Sequence, residues 1–181
     1  MSSTPKKIKF VGKLYKAVSW TDNSGNNIAI ISNTGKIRSK NPPDDGYNDA
    51  ALFAYHYTIS GDSLKFTWKV YDYVQDCPLD LILDFIPNTF TVTDLDKNGI
   101  AEVWIMYKSA CKGDVSPNSI KIIMYENSKK SALRGNSQVK VSENELTGGD
   151  YEMDEAFKKG HPSFRKYAEK LWNKNKVETW E

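Results

Sequence analysis

The sequence predicts a mainly β protein: an antiparallel β-sheet domain closed by one C-terminal amphipathic α-helix. Three observations carry this. Runs of alternating apolar and polar residues recur from Leu14 to Glu126, separated by Gly, Pro, Asn and Asp at hairpin distances. Five Trp and ten Tyr stand in 181 residues, and aromatic side chains suit a pleated, half-buried surface. After Gly148-Gly149 the apolar period changes from two to that of a helix. The length fits a single domain, with residues 1–147 forming the β part and 148–181 a helical cover.

Lys6–Gly12 carries Ile8 and Phe10 on one face and is read as a first strand. Leu14–Trp20 is the next strand, then Ile28–Ser32, followed by a loop over Asn33–Asp49 marked by Asn41-Pro42-Pro43-Asp44-Asp45-Gly46. Ala51–Ile59 sets Phe53, Tyr55, Tyr57 and Ile59 on one face. Leu64–Tyr73 sets Leu64, Phe66, Trp68 and Val70 against Lys65, Thr67 and Lys69, which predicts a half-buried strand. Asp80–Ile86 is apolar on both faces and is read as a central strand. Val103–Tyr107 and Ser119–Glu126 are strands joined by a loop over Ser109–Asn118, with Ile120, Ile122 and Met124 on one face. Tyr151–Lys159 holds a helical turn with Met153 and Phe157 inward. Pro162 can open a helix in its first turn, and Phe164, Tyr167, Ala168, Leu171 and Trp172 then share the face predicted to pack on the sheet.

The centre of the reading is Thr91–Tyr107, TVTDLDKNGIAEVWIMY. Asp94, Asp96, Asn98 and Glu102 occupy positions 1, 3, 5 and 9 of a loop, with Gly99 at position 6. Alternate Asp and Asn side chains in a tight turn converge on one point, and Gly supplies a positive φ. Oxygen ligands so placed suit Ca²⁺, with the backbone carbonyl of Ile100 at position 7 completing the predicted set. Position 12 is Ile105 and the flanks read as strands, so the loop is not an EF-hand. The plainer alternative is an Asp/Asn/Gly-rich turn without a metal.

The same pattern occurs earlier. Over Thr21–Ile30 and Thr93–Glu102, offset by 72 residues, five of ten positions are identical. This predicts an internal repeat, 14–59 and 88–126. In the first copy Ser24 and Ile30 replace two acidic positions, so no metal is placed there.

Strand, D-x-D-x-N-G-x-x-E loop and strand resemble the calcium loops of FG-GAP and VCBS-type repeats. That resemblance implies propeller-blade-like hairpins.

The composition excludes several classes. A net charge of +2 does not argue for nucleic acid, and no apolar run is long enough for a membrane-spanning helix. Met1–Lys7 lacks the apolar stretch of a signal peptide, which fits a cytoplasmic protein and equally a chain whose leader was removed. Cys77 and Cys111 lack metal-type spacing. They are either a bridge between neighbouring strands, which needs an oxidising compartment, or two reduced thiols. His56 and His161 have no Ser or Cys partner at a recognised spacing, and no phosphate-binding or nucleophile motif is present. Asp80 and Asp84 lie roughly 13 Å apart on a strand, too far for paired-carboxylate glycoside hydrolysis. Tyr55, Tyr57, Trp68, Tyr71 and Tyr73 serve either as a sugar-stacking platform or as cross-strand packing.

Beyond the loop, Trp68-Lys69-Val70, Asp76-Cys77, Phe85-Ile86-Pro87, Thr91–Asp96, Cys111 and Asp114–Pro117 resemble a bacterial family that is often secreted or lipid-anchored. The likeness extends to Gly149-Asp150-Tyr151 and Ala168–Trp172. Some members carry a surface-polysaccharide-biosynthesis label. The resemblance implies a periplasmic, cell-surface or secreted location and pairing of Cys77 with Cys111, and it supplies no catalytic residues. The expectation is a calcium-stabilised, non-enzymatic module binding protein or glycan. The alternative is an enzyme or accessory factor in surface polysaccharide assembly.

Overall fold

Alternating sequence becomes paired strand wherever one face can be buried. In this computed structural model, residues 8–142 and 145–178 are described. Sheet A contains β1 (Lys13–Asp22), β2 (Gly25–Asn33), the two-residue β3 (Ile37–Arg38), β4 (Asn48–Ser60) and β5 (Ser63–Cys77). Its antiparallel order is β1-β2-β4-β5, and β3 also pairs with β4. Sheet B is built from β6 (Asp80–Phe85), β7 (Thr91–Thr93), β8 (Glu102–Lys112), β9 (Ser119–Glu126) and β10 (Lys129–Asn136). A separate hairpin, β11 (Gln138–Ser142) and β12 (Glu145–Gly148), precedes β13 (Tyr151–Met153), which joins sheet B beside β10. Two helices follow, α1 (Glu155–Lys159) and α2 (Pro162–Asn175).

The layers are sheet A, sheet B and the helices. One core lies between the sheets, where Ile31, Leu52, Trp68 and Val70 meet Leu83, Phe85, Val103, Ile105 and Ile123. A second core lies on the far side of sheet B, where Trp104, Met106, Ile122, Met124 and Leu133 meet Phe157, Phe164, Ala168, Leu171 and Trp172. The predicted apolar face of α2 is therefore the packed one, with Tyr167 at its margin, and Met153 and Phe157 point inward as expected. Gly135 lets the helix layer approach, since a Cβ there would lie 2.1 Å from the Asp150 carbonyl oxygen and 2.7 Å from Trp172. Between the sheets, Lys121 Nζ meets Asp72 Oδ2 at 2.5 Å, and Tyr107 Oη donates to the same oxygen at 2.9 Å.

Cys77 at the end of β5 is bonded to Cys111 of β8, so the disulfide ties sheet A to sheet B. With a sequence separation of 34, the chain-entropy account gives about 4 kcal/mol of stabilisation.

Several expectations are corrected. Residues 8–12 are not a strand; they lie over sheet A, where Val11 N donates to Tyr55 Oη and Tyr57 Oη donates to the Lys9 carbonyl. Residues 6 and 7 of that predicted strand lie outside the described residues. The 33–49 loop contains β3, and β8 runs on to Lys112. Asp80–Phe85 is an edge strand, paired only to β8 among the described residues. It is apolar on both faces because Leu83 and Phe85 enter the inter-sheet core while Ile82 lines a cleft with Ile86, Ile120 and Val177. Strands also run over Lys129–Asn136, Gln138–Ser142 and Glu145–Gly148, where the sequence predicts none. The described sheets are open, and no closed, propeller-like sheet is found among the described residues.

His56 pairs with Trp68 but Tyr57 pairs with Phe66, so Thr67 is an extra, bulged residue in β5. A bulge reverses the alternation beyond it. Trp68 and Val70 point into the core, whereas Phe66 is 52% exposed. On β4 the aliphatic residues Ala50, Leu52 and Ala54 face the core. The row Phe53, Tyr55, Tyr57 and Ile59, predicted to share a face, lies on the outer side of sheet A.

Leu171 is buried against sheet B. Leu171→Ala is expected to cost about 2–5 kcal/mol, read as a lowered denaturation midpoint. An unchanged midpoint would show that the helix does not cover the sheet.

Candidate metal centre

Thr93 pairs directly with Glu102, which forces residues 94–101 into a turn between β7 and β8. Lys97 and Gly99 take positive φ values of 61° and 79°. The turn closes on its own side chains. Asp94 Oδ2 accepts from Gly99 N (3.1 Å), Asp96 Oδ1 from Asn98 N (3.2 Å) and Asn98 Oδ1 from Ile100 N (2.7 Å).

Carboxylate oxygens of Asp94, Asp96 and Glu102 come within 4.8 Å of one another. Three of the five predicted residues are thus gathered. Asn98 and Ile100 sit in the same turn but outside this carboxylate group. The Asn98 amide nitrogen donates to Asp96 Oδ2 (3.0 Å) and to Glu126 Oε1 (2.7 Å), while Ile100 contributes the N–H bonded to Asn98.

Glu102 is fully buried. Its oxygens accept from Thr93 Oγ1 (2.6 Å) and from Leu95 N (3.1 Å). Burial, opposed by these bonds and aided by the Asp96 and Asp94 charges, pushes its carboxyl above the usual carboxylate range. None of the three acids is ion-paired among the described residues.

Sequence reasoning missed Glu126. It stands directly opposite Glu102 in the β8–β9 register, and like charges so placed destabilise a sheet. The available signal was its phase: it continues the face of Ile120, Ile122 and Met124. An all-oxygen group of this kind fits a hard cation, and the three clustered acids can hold a metal ion.

The β1–β2 hairpin braces the turn from sheet A. Asp22 Oδ2 accepts from Ala101 N at 3.0 Å, and Asn23 N donates to the Gly99 carbonyl at 2.8 Å. The φ of 79° at Gly99 favours glycine, and a Cβ there would also displace the Asn23 side chain, 2.1 Å away at Nδ2. The rest of the Asp22 carboxylate is engaged by Ser24, Asn27 and Trp20 Nε1.

Comparison with protein-family models, with curated proteins and with solved structures finds no match to this chain. What its surfaces can do therefore follows from their own geometry.

The five aromatics read as platform or packing divide between the two roles. Trp68 is buried and stacks on Tyr125 with centroids 4.3 Å apart. Tyr71 and Tyr73, each 54% exposed, stack on each other at 5.4 Å on the outer side of sheet A. Lys69 Nζ lies 5.0–5.6 Å over the Phe53, Tyr55 and Tyr71 rings, a cation–π arrangement that holds them in place. Asp80 and Asp84 stand opposite Lys112 and Lys108 in the β6–β8 register. His161 accepts from Ser163 N at the start of α2, the arrangement of a helix cap. Among the described residues, no helix is long and apolar enough to cross a membrane.

His56 is buried between the Trp20 and Trp68 rings, at 5.1 and 5.2 Å. Thr67 Oγ1 donates to the His56 carbonyl, so it accepts from Nδ1–H, and buried Nε2 is left without a partner. Burial pulls the imidazole down from 6.5 to about 4. Because the folded value lies below the unfolded one, this group's stabilising contribution is complete above pH 6.5 and is lost as pH falls toward 4. The expected result is a denaturation midpoint that declines over this window in the parent and declines less in His56→Phe. Identical slopes would assign the acid sensitivity to other groups.

Proposed function

We propose that this protein is a calcium-stabilised, non-enzymatic binding module of the cell envelope or of secretion, which takes glycan, or a protein surface of similar chemistry, on the outer face of sheet A. The observation that carries the reading is the stacked, half-exposed Tyr71–Tyr73 pair on a rigid antiparallel sheet. Aromatic faces offer apolar area at low entropic cost, and their phenolic hydroxyls hydrogen-bond. Phe66 extends the exposed strip, and Ile37 and Val74 with the two tyrosines line a shallow depression of about 450 Å³.

The Cys77–Cys111 bridge supports an oxidising compartment. The resemblance to the polysaccharide-labelled bacterial family points the same way. The oxygen-only cluster at Asp94, Asp96 and Glu102 supports calcium, with an affinity on the order of 10⁻⁴–10⁻³ M, as in extracellular modules. The cation relieves repulsion among the three acids and Glu126 and sets the turn; Mg²⁺, which dehydrates reluctantly, is the poorer occupant.

Calcium at a hundred times Kd is expected to stabilise the fold by about 2.7 kcal/mol. Melting curves in EDTA, Ca²⁺ and Mg²⁺ should rise most with Ca²⁺, and Asp96→Ala should abolish the rise. Equal melting of the parent in EDTA and saturating calcium would reject the metal.

For the binding face, a glycan array in calcium should give hits that weaken by about 0.5–1.5 kcal/mol in Tyr71→Ala and in Tyr73→Ala. Full binding by both variants would remove sheet A from the reading.

A further inference from the structure

We propose that the cleft between the acidic turn and the α1–α2 junction is a second binding site, for an acidic saccharide unit. The cleft encloses about 510 Å³, within the range of small-ligand pockets. It lies on the helix side of sheet B, remote from the tyrosine face.

One wall is basic. Lys129, Lys130 and Lys159 line it. The first two follow the tight turn at Asn127, whose φ is 51°, and Lys159 projects from α1. Lys159 shares an exposed pair with Glu155 at 3.4 Å, while Lys129 and Lys130 enter no ion pair among the described residues. The α2 N-terminus adds to the same sign, because Gly160, His161 and Phe164 border the cleft and the first turn of α2 carries no acid. Against the two carboxylates of the cleft, Asp96 and Glu126, the three lysines leave one surplus positive charge, which together with the α2 N-terminus favours an anion.

The adjoining wall carries Asp96 and Glu126, with Glu126 directly across from Lys129 in the β9–β10 register. Carboxylates accept from hydroxyls, and a sugar ring supplies hydroxyl donors beside its anionic group. Bare phosphate is chiefly an acceptor and is a poorer match to this wall. Met124 and Phe164, both nearly buried, give an apolar floor for the C–H face of a ring. Basic wall, acceptor wall and apolar floor together describe an acidic saccharide better than a neutral one or a simple ion. A divalent cation held by Asp94, Asp96 and Glu102 would add positive charge at the Asp96 wall and tighten binding. For that calcium dependence alone, the inference rests on the metal reading above.

The test is calorimetric titration of the full chain with trigalacturonate, maltotriose and inorganic phosphate, in calcium and in EDTA. Trigalacturonate should bind at least about tenfold more tightly than the other two. The double variant Lys129→Ala/Lys130→Ala should lose about tenfold or more, with its melting temperature unchanged because both side chains are exposed. In a Tyr71→Ala background the Lys129→Ala/Lys130→Ala change should still cost the same tenfold, because the tyrosine face is a separate site. No binding by the parent, equal affinity for maltotriose or phosphate, or a double variant that binds like the parent would overturn the proposal. Lysine-dependent binding that is equal in EDTA and calcium, in a protein whose melting ignores calcium, would support the cleft and reject only the metal. Loss of binding in Tyr71→Ala with the lysine variant unaffected would move the saccharide to sheet A and overturn the cleft.

Discussion

The structure depends on burying sheet B on both faces. Every residue from Glu102 to Tyr107 is buried, because Val103, Ile105 and Tyr107 face sheet A while Trp104 and Met106 face the helices. Fully burying one such apolar side chain is worth roughly 1.5–3 kcal/mol, and β9 contributes in the same way with Ile122, Ile123 and Met124. The unbroken apolar character of β8 and β9 follows from this constraint. So does the position of Glu102, which begins the half of β8 that has no solvent-facing side and is therefore a carboxyl at zero exposure. The acidic centre is a consequence of where the buried strand starts.

The two Asp-led turns of similar sequence end up in contact, with different duties. Asp94 and Asp96 keep carboxylate oxygens near Glu102. Asp22, their counterpart in sheet A, spends its oxygens on Ala101 N, Trp20 Nε1 and Ser24. A carboxylate saturated by N–H and O–H donors is a poor cation ligand but a good brace. The first turn thus holds the second in place from the other sheet. The disulfide between β5 and β8 and the Lys121–Asp72 contact join the same two sheets elsewhere, so the layers are fixed at several separated points.

Chemistry is displaced to the surfaces that packing leaves over. The inter-sheet core takes Ala50, Leu52 and Ala54 from β4, and the larger aromatics of that strand are turned outward. Lys69 and the overlying 8–12 segment cover Phe53 and Tyr55, which are both 6% exposed, while Tyr71 and Tyr73 remain open. On the other side of the molecule, the short α1 and the start of α2 stand beside the acidic turn and enclose a cleft with Lys129 and Lys130.

The β class, the C-terminal helix with its packed face and the acidic turn were legible in the sequence. Each rests on a local pattern: a period of two, a period of 3.6, and Asp, Asn and Gly in phase within nine residues. The placement of the cysteines beside predicted strands allowed either a bridge or two reduced thiols, and the resemblance implied the pairing, since nothing local brings residues 34 apart together. What only the tertiary structure decided involves partners distant in the chain. A single bulge at Thr67 reversed which aromatics of β5 face the core. Strand pairing made Asp80–Phe85 an edge despite its two apolar faces, and it drew Lys129–Asn136, poor in β-branched residues, into sheet B. Register across β8 and β9 brought Glu126 opposite Glu102, 24 residues away in the chain. Alternation records that a strand has two sides; which side is buried, and what stands across from it, is set by the neighbouring strands and layers that compete for the same apolar surface.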